Sequence, residues 1–206
     1  MCKIAWGLLV LGAANISFAA PVTWSTASGG NGHSYEVFAV PGGITWGAAQ
    51  AAATSKGGYL ATITSAAENA FVYSLANQDI YWTAPNGIDL AGPWLGGFQP
   101  PGSPEPAGNY QWVTGEPFSY TNWYPGLPND NQFFGGEDHV HFYGAGRTVA
   151  GRTAMWNDAF HDGTHIAAYV VEFDPPPAPA PLPPSVMVVP LVGAAIILRA
   201  RRQTKL

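Results

Sequence analysis

The sequence predicts an α+β fold, and three observations carry the prediction. Two early stretches have helix start and stop signals, short runs rich in β-branched and aromatic residues follow them, and long glycine- and proline-rich connections separate those runs. Ser34 to Val40 alternates as a half-buried strand does, and Pro41-Gly42-Gly43 turns the chain out of it. Thr45 is the expected N-cap of a helix from Trp46 to Lys56, which stops at Gly57-Gly58. Tyr59 to Ile63 reads as extended. Ser65-Ala66-Ala67-Glu68 has capping-box spacing and opens a second helix through Ala76, with Ala67, Phe71 and Leu75 on its apolar face. Beyond Trp82 the β-like runs are Trp94-Leu95-Gly96, Tyr110 to Val113, His139 to Phe142 and Ala168 to Phe173, with no internal repeat.

Composition and charge bound the function. Residues 1–20 read as a secretory leader, with Lys3 before an apolar stretch and Ser17-Phe18-Ala19 as a small-residue cleavage site. The single cysteine, Cys2, falls inside it, so the expected domain at 21–174 has neither disulfides nor thiolate chemistry. All thirteen acidic residues lie between Glu36 and Asp174, against Lys56, Arg147 and Arg152. That balance argues against a nucleic-acid partner and suits divalent cations, although most such carboxylates merely keep a domain soluble.

Residues 175–184 form a proline-rich linker, and 185–206 an apolar segment followed by Arg199, Arg201, Arg202 and Lys205. Ser185 to Leu198 would make a helix of about 21 Å, short of the roughly 30 Å of a bilayer core. Pro190 interrupts it. This tail resembles the PEP-CTERM class of sorting signals in its variant built on Pro-Leu-Pro, here Pro181-Leu182-Pro183. The resemblance implies a processing partner of the exosortase type, a Gram-negative-type envelope and a cell-surface or extracellular destination. A plain single-span membrane anchor is the alternative.

From Asn31 to Asp174 the order of signals resembles a C-type lectin-like domain. Tyr59 to Asn69 is similar to the family's segment leading into its second helix, Trp94-Leu95-Gly96-Gly97 stands at its central Trp-Ile-Gly-Leu motif, and Trp156-Asn157-Asp158 with Tyr169 to Phe173 fits its closing hairpin. The resemblance implies chain ends meeting in one sheet and a long excursion, Gln99 to Gly136, that carries the binding surface. It also maps the family's disulfide positions onto Ala53 with Val171 and His139 with His161, where no bridge can form.

In calcium-dependent members the principal site matches Asn129, Glu137, Asn157 and Asp158 of this chain. There the asparagines turn carbonyl oxygens to the metal and amide hydrogens to sugar hydroxyls, which the glutamate also binds. A cis Leu127-Pro128 bond is expected. Leu127 departs from the pattern, because an acidic or amide residue normally opens that triplet; water, Asp130 or Glu116 are the available substitutes. Trp156-Asn157-Asp158 also serves metal-free domains, as core tryptophan and hairpin-shaping pair. Trp123 is the candidate stacking ring for a sugar, with Tyr124, Trp112 and Phe118 beside it, and packing of the loop is the competing role for each.

His139, His141 and His161 with Asp138 or Asp162 make an alternative zinc set. Glu105, Glu116 and Asp162 are the carboxylates a glycosidase would need, but no nucleophile elbow, phosphate loop or zinc-protease motif accompanies them. The resulting expectation is an exported, non-enzymatic carbohydrate-binding module, taking calcium as cofactor and a glycan or exopolysaccharide as partner. A metal-independent protein-binding or matrix module of the same fold is the alternative.

Overall fold

The computed structural model describes residues 20–85, 87, 89–131, 136–146, 148–160 and 165–176. The expected leader up to Ala19, the linker beyond Pro176, the C-terminal segment, His161 and Asp162 lie outside the described residues.

Two helices and one mixed sheet make up the described domain. The strands are β1 (Val22–Thr23), β2 (Ser34–Ala39), β3 (Tyr59–Leu60), β4 (Asp89–Phe98), β5 (Gln111–Trp112), β6 (His139–Ala145), β7 (Arg152–Ala159) and β8 (Ala168–Phe173). The helices are α1 (Trp46–Ser55) and α2 (Ala66–Ala76). Among the described residues the strand order is β1-β2-β8-β4-β6-β7, with β3 joined to β8 and β5 to β4. β2 and β8 pair antiparallel from Ser34↔Phe173 to Ala39↔Ala168, so the two ends of the domain meet in one sheet. A parallel contact, Trp94↔Tyr169, joins that half to β4, β6 and β7.

The tryptophan motif earns its position by bonding as well as by bulk. Trp94 is fully buried and its Nε1 donates to Ile44 O at 2.8 Å, while Trp46 Nε1 on α1 donates to Leu95 O at 2.8 Å. Both indoles thereby bury their rings without orphaning the N–H. Gly96 must lack a side chain, because a Cβ there would stand 2.5 Å from Leu60 O. Ala53 and Val171 are both buried in one apolar cluster, which replaces a covalent bridge by packing.

Both helix starts follow the expected caps: Thr45 Oγ1 accepts from Ala48 N and Ser65 Oγ from Glu68 N, each at 3.2 Å. Of the expected apolar face of α2, Phe71 and Leu75 are half-buried against the core and Ala67 is not, and the most buried positions are others. Glu68, Asn69, Val72 and Ala76 are buried, whereas Ala67 is exposed. Polar residues occupy the inner face because each is fully engaged. Asn69 Nδ2 donates to Ala154 O at 2.9 Å and its Oδ1 accepts Trp156 Nε1 at 2.8 Å. Glu68 Oε2 takes the Thr64 N–H and hydroxyl, at 2.7 and 2.9 Å, and its Oε1 takes the Tyr35 hydroxyl at 2.5 Å. Glu172 on β8 completes this polar cluster, with Oε1 2.6 Å from His33 Nδ1 and Oε2 accepting Thr62 N at 2.8 Å.

Candidate functional site

The loop that leads into the site is built by local turn chemistry. Tyr124-Pro125-Gly126-Leu127 closes through Leu127 N to Tyr124 O at 2.9 Å, with Gly126 at φ +89. Proline second and a positive-φ glycine third are what a type II turn requires. The loop is then pinned to β7, since Tyr124 N donates to Trp156 O at 2.9 Å and Trp156 N to Asn122 O at 2.8 Å. Trp156 is the hub of an aromatic cluster, with Trp112, Tyr120 and Trp123 edge-on at 5.7, 5.6 and 5.8 Å. Trp123 also stacks at a tilt on Tyr110, 4.9 Å away. Its ring packs the loop onto the domain and does not line the cavity described next. Leu127–Pro128 is cis, as expected.

Beyond the turn, carboxylates hold the backbone. Asp158, wholly buried on β7, accepts the N–H groups of Asn129 and Asp130 on its Oδ2 at 2.9 and 2.8 Å. Its Oδ1 is buried and takes no hydrogen bond among the described residues. Asp130 and Glu137 clamp each other's ends of the chain: Glu137 N donates to Asp130 Oδ1 at 3.0 Å, and Asn131 N donates to Glu137 Oε2 at 3.1 Å.

Asn129, Glu137 and Asn157 line one open cavity of about 200 Å³, together with Leu127, Asn131 and His141. Asp89 and Tyr143 also line it, and the Tyr143 hydroxyl donates to Asp89 Oδ1 at 2.7 Å. A water takes about 30 Å³ of liquid, so this space exceeds what one bare cation fills. Three of the four expected ligand positions therefore converge, and the fourth, Asp158, underlies the loop that carries Asn129. His141 and Asn157 face each other across the β6–β7 ladder, and His141 Nε2 lies 3.2 Å from Asn157 Nδ2.

The electrostatics of this corner are unfavourable to its own carboxylates. Burial, countered by the Asn131 N–H and reinforced by the charges of Asp158 and Asp130, pushes Glu137 up to about 7. Asp158 is also raised, chiefly by burial, although the N–H groups of Asp130 and Asn129 oppose the shift. Oxygen donors around surplus, poorly hydrated negative charge, with an orphaned carboxylate oxygen beside them, suit a hard cation such as calcium. Among the described residues no three His, Cys, Asp or Glu side chains stand close enough to hold a metal ion by themselves. Amide oxygens and water must supply the rest, and Leu127 contributes none.

The alternative sets include His161 and Asp162, which lie outside the described residues; their described members are placed as follows. His141 Nδ1 is engaged with Phe142 O at 2.7 Å, and the His139 ring packs on Trp46 at 4.4 Å. Glu116 is exposed and accepts the Thr114 hydroxyl, away from the cavity; Glu105 is exposed too. Asn131, Asp89 and Tyr143 belong to the cavity and were not marked by sequence. Only the strand register, which sets Ala91 opposite Tyr143 and Asp89 opposite Ala145, brings the last two there.

No family model matches the chain. It is 28% identical over 126 residues to C-type lectin domain family 4 member K of Homo sapiens, covering 59% of this chain and 31% of that protein. It is 30% identical over 87 residues to the type-2 ice-structuring protein of Brachyopsis segaliensis, covering 42% of each. The chain thus spans about a third to two fifths of the length of these curated relatives. Among solved structures it is similar to the C-type lectin CEL-I from Cucumaria echinata, with TM-score 0.51 and 22% identity over 70% of this chain and 91% of that one. The cow C-type carbohydrate-recognition domain of CD23 aligns with TM-score 0.49 and 26% identity over 68% of this chain and 86% of that one. The fold is C-type lectin-like.

Proposed function

We propose that this domain binds glycans through the cavity at Asn129, Glu137 and Asn157, with calcium as the cofactor that joins protein and sugar. The single observation behind this reading is the convergence of the Asn129 and Asn157 amides and the Glu137 carboxylate on one cavity, next in the chain to Asp158, whose buried Oδ1 takes no hydrogen bond among the described residues. A relative named as a C-type lectin lends it support. When bound, calcium supplies the charge that these carboxylates lack and a Lewis-acidic point for two sugar hydroxyls. Asn129, Glu137 and Asn157 would hold it, with Asp158 Oδ1 as the fourth candidate oxygen. The chain's own residues do the rest: Asp158 fixes the Asn129–Asp130 backbone, the Asp130–Glu137 clamp sets the carboxylate, and the amide hydrogens of Asn129 meet ligand oxygens.

The module is a binding protein in this reading, exported through the segment at 1–20 and sorted to the cell surface by the linker and C-terminal segment, with an exosortase-type enzyme as processing partner. A second reading, a metal-independent module for protein or matrix contacts, draws on Leu127, which removes a ligand. Calorimetric titration of residues 21–174 with calcium, then a glycan array with and without chelator, decides between them. Calcium uptake together with chelator-sensitive glycan retention is expected. Glycan retention indifferent to chelator, with no calcium uptake, overturns the first reading in favour of the second.

A further inference from the structure

His141 is a buried titratable group, 2% exposed, on the floor of the cavity, and the function above gives it no work. Its two nitrogens have different partners. Nδ1 lies 2.7 Å from Phe142 O, and a carbonyl oxygen only accepts, so Nδ1 carries the proton. Nε2 is then a bare lone pair, and Asn157 Nδ2, 3.2 Å away, is a donor aimed at it. Turning the amide over would set Oδ1 against that lone pair, acceptor against acceptor. The chain of donation therefore runs from Asn157 Nδ2 to His141 to the Phe142 carbonyl, and it permits one amide orientation.

Nothing on the other side competes. Asn157 Oδ1 takes no hydrogen bond from any described residue, and Asn157 lines the cavity. The ring itself is held by the β-ladder, with Trp94 opposite on β4 and edge-on at 5.7 Å.

We infer that His141 is a positioning residue: it locks the Asn157 side-chain amide with Nδ2 inward and Oδ1 toward the cavity, giving the ligand a fixed acceptor. The group that meets Asn157 is accordingly a cation or a hydroxyl donor, and one amide hydrogen of Asn157 is already spent on the protein. This sharpens the glycan reading above and rests on it only for the identity of the occupant. The same bond opposes ligand-dependent reorientation of this amide.

The tautomer and the amide are both visible by nuclear magnetic resonance in the unmodified domain. The His141 ring is expected as the Nδ1–H form, and the Asn157 side-chain amide protons as slow to exchange with solvent. His141→Phe keeps a ring against Trp94 but removes the acceptor, and should speed exchange of the Asn157 amide protons with solvent while the backbone spectrum stays that of the folded domain. His141→Gln, which keeps an acceptor at similar reach, should restore slow exchange. With calcium alone as the probe, His141→Phe should weaken binding by about tenfold or more, the loss expected when a ligand's supporting partner is removed. An Nε2–H ring, or Asn157 exchange unchanged in His141→Phe, overturns the assignment. Should the parent domain take up no calcium, the cofactor reading fails by itself, and ring tautomer and amide exchange still decide the role of His141.

Discussion

Asp158 Oδ2 lies 2.8 Å from the backbone nitrogen of Asp130, and the same oxygen also receives the Asn129 N–H at 2.9 Å. A fully buried carboxylate on β7, the last strand of the sheet order, thus caps a loop twenty-eight residues earlier in sequence. Asp130 sits there at φ +44, a left-handed conformation a non-glycine residue holds only when its surroundings impose it. Asp158→Ala strips two N–H groups of their acceptor inside the protein, and should cost about 3 kcal/mol, since bonds to a charged group contribute about 1.5–3 kcal/mol each and are not additive. Asp158→Asn keeps one acceptor oxygen and should cost less. Urea unfolding of the two variants against the parent checks the order. Equal stability of parent and Asp158→Ala would show that the loop stands without this cap.

Leu127 lines the cavity where a further oxygen ligand is wanted. Leu127→Glu adds a carboxylate at that wall, and calcium affinity rises with the charge and number of ligands. An increase of about tenfold or more is expected by calorimetry, together with lower thermal stability in chelator, because the new charge joins Glu137 and Asp158 without a counter-ion. A variant whose calcium affinity does not exceed the parent's would place the cation elsewhere.

Glu137, raised to about 7 chiefly by burial, is protonated over much of the mildly acidic range and cannot ligate a metal in that form. Binding below that point expels a proton, so calcium affinity should fall as pH drops through 7, by up to about tenfold per pH unit from this one group. Above about pH 8 the dependence on Glu137 should vanish. Glu137→Gln should bind more weakly at high pH and lose most of the slope. The comparison is two calorimetric series, at about pH 6 and about pH 8.

The parts of the fold that could be read from sequence are those written locally. Thr45, Ser65 and Gly57 mark helix ends through bonds to their near neighbours, and Trp94-Leu95-Gly96 reports crowding at one point of the sheet. β4 was seen only in part, as Trp94-Leu95-Gly96, because glycine and proline mask the pattern of a strand that runs from Asp89 and absorbs Pro93 at a register shift between Ala91 and Trp94. The two-residue β1 has no pattern of its own and exists only as the partner of Ser34 and Tyr35. At the site, Asn129, Glu137 and Asn157 were legible as oxygen donors. The spending of Asp158 on the loop backbone and the bond from Asn157 to His141 were not, since both depend on which strands lie side by side. The inner face of α2 was misjudged for a related reason: hydrophobic periodicity does not register Glu68 and Asn69, which are buried because distant groups satisfy them.

Glu172 carries the last prediction. It is 1% exposed between β2, β3 and α2, with His33, Tyr35, Tyr59 and Glu68 as the titratable groups around it. Burial raises its carboxyl to about 7, against the Thr62 N–H and His33 bonds that favour the charged form. In the unfolded chain a glutamate titrates near 4.3. Between those two values the native state holds a proton that the unfolded state has lost, so stability declines as pH rises through this window and levels off above it. The decline from about pH 5 to about pH 8 should be on the order of 2 kcal/mol for this group. Glu172→Gln keeps an acceptor for Thr62 N and carries no charge, so its stability should vary less with pH and should exceed the parent's at about pH 8. Urea midpoints for both proteins in calcium-free buffer at the two pH values give the result. A parent that is instead more stable at the higher pH would mean that His33 holds Glu172 charged and that the ion pair, not the buried acid, ties β2 to β8.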